Sequence, residues 1–214
     1  MRTRIKICGI RNIDDARCCA DAGADAIGFV FVRRSPRYIQ PEAASGVMAD
    51  LPPMLTTVGL FQDASIDRFI EVEEICPTIM SQLHGAEDDD LVRQCGPGVI
   101  KGLRFDEATI DAALARWDAI EEVDAILVDG SRGGEGIAFD WAALAPRLES
   151  IRTPVLVAGG LTPDTVGEAI RACRPWGVDV SSGVESSPGV KDHALIRAFC
   201  QAVRDADHEI ASRV

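Results

Sequence analysis

Cys8 closes the short apolar run Arg4-Ile5-Lys6-Ile7-Cys8, just ahead of Gly9, and Asp129 closes Ala125-Ile126-Leu127-Val128-Asp129, just ahead of Gly130. Each puts a proton-carrying side chain at the C-terminal tip of a predicted strand, the edge where a β/α barrel assembles its active site. A buried cysteine is ordinarily a small core residue. What singles out Cys8 is its place at a strand end, with Lys6 on the same side of the strand through the period of two. A neighbouring cation favours the thiolate and so makes a competent base. Asp129 with the following Gly130-Ser131 is also ordinary turn chemistry. To act as an acid it has to hold or regain a proton, which partial desolvation in a cleft promotes.

Other constellations suit a charged ligand. Gly159-Gly160-Leu161-Thr162 and Ser181-Ser182-Gly183-Val184 follow the seventh and eighth predicted strands. Glycines let backbone N–H groups approach an anion closely, and a helix start just beyond adds a positive dipole end. In barrels, the loops after these two strands commonly bind phosphate. Arg37, in Ser35-Pro36-Arg37-Tyr38, suits a bidentate clamp on a carboxylate or a phosphate; with Arg33 and Arg34 nearby, a solvated basic loop is the alternative. His84, in Gln82-Leu83-His84-Gly85, is a candidate substrate contact, and obvious partner ligands for a metal are lacking. Gly133-Gly134-Glu135-Gly136 reads as a flexible loop able to cover a substrate.

The elements that must position these residues alternate. Apolar or β-branched runs at 4–8, 26–31, 55–61, 78–83, 98–103, 125–128, 154–158 and 178–181 predict strands buried on both faces. Helical periodicity fills the segments between them. It covers 12–22, a helix entered through Thr162 with Pro163 at its first position, and a last helix over 192–206. Eight such units in one domain over 1–214 predict an α/β fold, a (β/α)8 TIM barrel with short loops. An open doubly wound sheet would need fewer strands and a G-x-G-x-x-G turn, which Cys8-Gly9-Ile10-Arg11-Asn12 is not.

Bulk properties exclude several classes. A net charge of −12 argues against nonspecific nucleic-acid binding, and 47% apolar content argues for a packed globule. No apolar run reaches membrane-spanning length, and Met1-Arg2-Thr3-Arg4 leads straight into a strand, so a soluble cytoplasmic protein is expected. The seven cysteines are odd in number and lack a Cys-x-x-Cys pair, so reduced thiols are expected.

Together these residues resemble the phosphoribosylanthranilate isomerase family, which carries out an Amadori rearrangement in tryptophan biosynthesis. The resemblance spans nearly the whole chain. It rests on Lys6-Ile7-Cys8-Gly9-Ile10, the stretch 23–31, Ser35-Pro36-Arg37-Tyr38-Ile39, Gln82-Leu83-His84-Gly85, Val128-Asp129, Gly133-Gly134 with Gly136, Phe139-Asp140-Trp141, Gly159-Gly160-Leu161 and the stretch 178–185. It implies a (β/α)8 barrel with no metal or organic cofactor, acting on a small phosphoribosyl substrate as a monomer or homodimer. By resemblance Cys8 is the general base and Asp129 the general acid. Arg37 holds the anthranilate carboxylate, and the Gly159-Gly160 and Ser182-Gly183 backbones hold the phosphate. His84 and Asp179 lie near the substrate without an assigned role. The histidine-pathway isomerase would carry an aspartate where Cys8 stands, and indole-glycerol-phosphate synthase would need an N-terminal extension. A noncatalytic phosphosugar-binding barrel would need neither Cys8 nor Asp129. The loop Asp129–Gly136 is compact for the family, and the acidic run 87–90 reads as the start of a helix.

Overall fold

The computed structural model describes residues 2–130 and 138–212. The Gly133–Gly136 loop lies outside the described residues. The chain alternates β1 (Arg4–Cys8), α1 (Ile13–Ala22), β2 (Ala26–Val30), α2 (Pro41–Ala49), β3 (Thr56–Phe61), α3 (Ile66–Ile75), β4 (Met80–Leu83), α4 (Asp89–Cys95), β5 (Val99–Arg104), α5 (Ile110–Asp118), β6 (Val123–Asp129), α6 (Trp141–Leu148), β7 (Val155–Val157), α7 (Val166–Cys173) and β8 (Gly177–Val180). A small hairpin of β9 (Glu185–Ser187) and β10 (Val190–Lys191) precedes α8 (His193–Ala211). The first eight strands form a closed parallel barrel in chain order, sealed where β1 meets β8 with Lys6 opposite Asp179. All eight expected strands are present.

Strand periodicity divides the core in two. Ile5, Ile7, Ile27, Phe29 and Phe61 pack outward with the helices, while Val58, Ile100, Ala125, Leu127, Leu156 and Ala158 fill the barrel. Each fully buried aliphatic side chain contributes roughly 1.5–3 kcal/mol. Above that apolar plug the inward positions turn polar, with Lys6, Gln82, Asp129 and Asp179 all buried. A TIM barrel opens at this C-terminal end of its strands.

Local chemistry fixes the element ends. Asn12 caps α1 by accepting from Asp15 N at 2.8 Å, and Asp192 caps α8 by accepting from Ala194 N and Leu195 N. α7 begins at Val166 rather than Pro163, because the segment before it forms a separate turn. The Thr162 hydroxyl accepts from Thr165 N at 3.3 Å, so it caps that turn. α8 runs five residues past 206, and its Asp207 carboxylate accepts from the Thr3 amide at 2.8 Å and hydroxyl at 2.6 Å. β4 starts at Met80 instead of 78, since the Thr78 hydroxyl is tied to the Met80 carbonyl and the Gly59 amide. In the acidic run, Asp88 caps α4 as expected. Glu87 instead turns inward to ion-pair with buried Lys101 at 2.7 Å. All seven cysteines are free and buried.

Candidate active site

Cys8 and Asp129 are the last residues of β1 and β6, only 4% and 5% exposed. Both line one cleft of about 220 Å³ together with Arg37, Gln82, His84 and Asp179. Two glycines make room for the functional side chains. A Cβ on Gly28 would come within 2.9 Å of Cys8 Sγ, and one on Gly102 within 2.5 Å of His84 Nδ1.

The floor of the cleft is ionic. Lys6 Nζ lies 2.7 Å from Asp179 Oδ1, and both side chains are buried. Burial works against the Lys6 ammonium, but the Asp179 carboxylate, helped by Cys8, outweighs it and raises the Lys6 pKa. For Cys8 the balance runs the other way. Burial pushes the thiol up, and Lys6, Lys191 and Arg37 only partly offset that. The neighbouring cations favour the thiolate as expected, but they do not decide the balance. Lys6 is placed as expected and acts in the expected direction, yet desolvation wins and the resting group is a thiol. Burial also lowers the His84 pKa against the pull of Asp129, so the imidazole is neutral near pH 7. Its Nε2 sits 3.8 Å from Asp129 Oδ2 and its Nδ1 2.8 Å from Gln82 Nε2.

Arg37 reaches the cleft by a route the sequence did not reveal. Its Nε and Nη2 donate to the two Glu185 carboxylate oxygens at 2.8 and 2.9 Å. Glu185 also accepts from Lys191 Nζ at 2.8 Å. Burial opposes the Glu185 carboxylate, but its bonds to Arg37 and Lys191 hold its pKa below the usual range. Lys191 donates as well to the Ser181 carbonyl at 2.8 Å, and the Ser181 hydroxyl donates to the Cys8 carbonyl at 3.0 Å. The β9–β10 hairpin thus ties the Arg37 loop to the tips of β8 and β1. Glu185 stood in the motif 178–185, but nothing in the sequence marked Lys191.

Gly159, Gly160 and Ser182 line a second cavity of about 30 Å³, whose wall includes Asp129, Asp179 and Ser181. These three also line the first cleft, so the two spaces adjoin. Gly183 stands behind the wall; a Cβ there would fall 1.9 Å from the Leu161 carbonyl oxygen. The expected site residues other than Gly183 therefore line these two adjoining spaces. Among the described residues, no group of three or more His, Cys, Asp or Glu is placed to hold a metal ion, and no helix is long and apolar enough to cross a membrane.

Residues 5–202 match the family model for N-(5'phosphoribosyl)anthranilate (PRA) isomerase. An N-(5'-phosphoribosyl)anthranilate isomerase of Pseudomonas fluorescens (strain Pf0-1) is 44% identical over 205 residues, covering 94% of this chain and 98% of that one. A crystal structure of phosphoribosyl anthranilate isomerase in complex with reduced 1-(o-carboxyphenylamino)-1-deoxyribulose 5-phosphate superposes with TM-score 0.84 at 37% identity, over 95% of this chain and 99% of that one. Mutually generated monomers of the dimeric enzyme from Thermotoga maritima give TM-score 0.83 at 36% identity, with the same coverage.

Proposed function

The chain belongs to the N-(5'-phosphoribosyl)anthranilate isomerase family, and on that premise we propose that Cys8 and Asp129 are the base and the acid of its reaction. The protein catalyses the Amadori rearrangement of N-(5-phosphoribosyl)anthranilate to 1-(2-carboxyphenylamino)-1-deoxyribulose 5-phosphate in tryptophan biosynthesis. The observation that carries the residue assignment is the single cleft lined by both groups and continuous with the glycine-walled cavity. In this reading the phosphate lies against Gly159, Gly160 and Ser182, with Gly183 permitting the close approach of the two loops, and the aryl carboxylate lies toward Arg37. The sugar then spans the space between Asp129 and Cys8, beside His84 and Asp179.

Asp129 donates its proton to the ring oxygen. The C1–O bond breaks as the nitrogen lone pair forms a C1=N iminium. The iminium acidifies the C2–H bond, and the Cys8 thiolate takes that proton to give an enolamine. Protonation at C1 and loss of the enol proton leave the C2 ketone. The competent enzyme therefore carries its proton on Asp129 and its charge on Cys8, with Lys6 the nearby cation that stabilises the thiolate. Each general-catalysis step is worth ~10²–10⁴-fold. To test the reaction, purified protein is mixed with freshly generated phosphoribosylanthranilate and its anthranilate-type fluorescence followed. Rapid loss with recovery of the carboxyphenylamino-deoxyribulose phosphate is expected; folded protein without turnover would sink the assignment.

A homodimer joined at the opposite end of the barrel is part of the same reading. Met54, Ile79 and Trp176 are exposed there, Trp176 at a cavity also lined by Val58, Met80 and Leu156, and the Thermotoga maritima relative is described as dimeric. Free, buried cysteines suit a reducing cytoplasm.

A further inference from the structure

Gln82, on β4, and His84, just beyond it, are two residues apart and line the same cleft. Gln82 is 1% exposed, and its Oε1 is buried with no hydrogen-bond partner among the described residues. Its Nε2 lies 2.8 Å from His84 Nδ1. An amide nitrogen only donates, so Nδ1 accepts. The neutral imidazole then carries its proton on Nε2, facing Asp129 Oδ2. A reversed amide would move the imidazole proton to Nδ1 and aim the Nε2 lone pair at a carboxylate, so Asp129 favours the orientation seen. That orientation leaves a buried, unpaired amide oxygen on a residue that lines the cleft. A buried acceptor left unpaired is costly, and a donor on the bound molecule removes that cost.

We propose that Gln82 contacts the substrate, its Oε1 accepting a hydrogen bond from the sugar-amine portion while its Nε2 holds the His84 ring with Nε2–H toward Asp129. The inference rests on the isomerase reading of the cleft. The donor is an N–H or O–H group, either the bridging nitrogen or a sugar hydroxyl. The two differ in consequence. The bridging nitrogen gains positive charge as the ring opens, so its bond to Oε1 strengthens toward the iminium and acts on kcat. A hydroxyl gains no such charge, so its bond acts on KM.

The test is a crystal structure of the full chain with reduced 1-(o-carboxyphenylamino)-1-deoxyribulose 5-phosphate. Gln82 Oε1 is expected within about 3.2 Å of the ligand amine or a ligand hydroxyl; a water or a protein group on Oε1 in that complex would overturn the proposal. In parallel, Gln82→Met is expected to lose roughly tenfold to a hundredfold in kcat/KM. The split between kcat and KM identifies the donor. ¹⁵N NMR of the wild-type protein is expected to show His84 protonated on Nε2, and a proton on Nδ1 contradicts the arrangement. Wild-type turnover with Gln82→Met equally active rejects only this contact, whereas absent wild-type turnover rejects the isomerase reading itself. If Gln82→Met does not fold, the complex structure and the wild-type tautomer decide.

Discussion

At the scale of single residues, the proposed base and acid, Cys8 and Asp129, need one proton between them in the competent form. Burial holds the proton on Cys8, so the thiolate is a minor form of the free enzyme at neutral pH. Above the Cys8 pKa the shared proton leaves the pair, and the acid has nothing to donate. The basic limb of kcat/KM is therefore expected above the ordinary thiol range. Lys6 lowers the thiol pKa, so Lys6→Met moves that limb to still higher pH and lowers the plateau. Each pKa unit is about tenfold in the ionised fraction. A pH–rate profile of both proteins checks this; a limb unmoved by the substitution would mean that Lys6 does not act on Cys8.

At the scale of elements, the β9–β10 hairpin matters through Glu185, which joins Arg37 and Lys191 in one buried cluster. Removing one partner of a buried pair costs ~3–5 kcal/mol, and Glu185→Gln is expected to lose stability in that range at pH 7. The Glu185 pKa is lowered in the folded state, so its contribution is fully present above its unfolded value and is lost as pH falls through the folded one. Urea titrations should then show the wild-type and Glu185→Gln stabilities converging as pH falls below the ordinary glutamate range. A constant gap would place the loss elsewhere.

The same hairpin shows what was legible in the sequence. Cys8, Asp129 and the glycine loops could be placed because each strand announces its own end within a few residues. The Arg37–Glu185 pair joins residues 148 positions apart, and Glu185 is followed by Ser187-Pro188-Gly189, a stretch that reads as loop. Likewise, nothing local to Glu87 told its inward turn onto Lys101 from a helix-start carboxylate, because its partner lies on the next strand. The resting state of Cys8 was not legible for a related reason. Charge was visible in the sequence, and the depth of burial that outweighs it was not.

At the scale of the whole molecule, the two ends of the barrel divide the work. The C-terminal end is polar and chemical. The N-terminal end exposes Met54, 99% accessible on a left-handed backbone with φ 74°, and holds a cavity of about 130 Å³ lined by Val58, Met80, Leu156 and Trp176 among others. Sedimentation at micromolar concentration is expected to give a dimer, and Met54→Asp is expected to shift it toward monomer with turnover retained, since Met54 lies far from the strand tips. A wild-type monomer would refute that assembly. Unfolding as one cooperative transition is expected of a single domain over 1–214.

The measurement that bears most directly on the mechanism is the turnover of Cys8→Ala and Asp129→Asn beside wild type, read as loss of phosphoribosylanthranilate fluorescence with circular dichroism confirming the fold. Both variants are expected to fall by ~10²–10⁴-fold. Turnover at the wild-type rate in either folded variant would remove that residue from the reaction and contradict the acid–base pair.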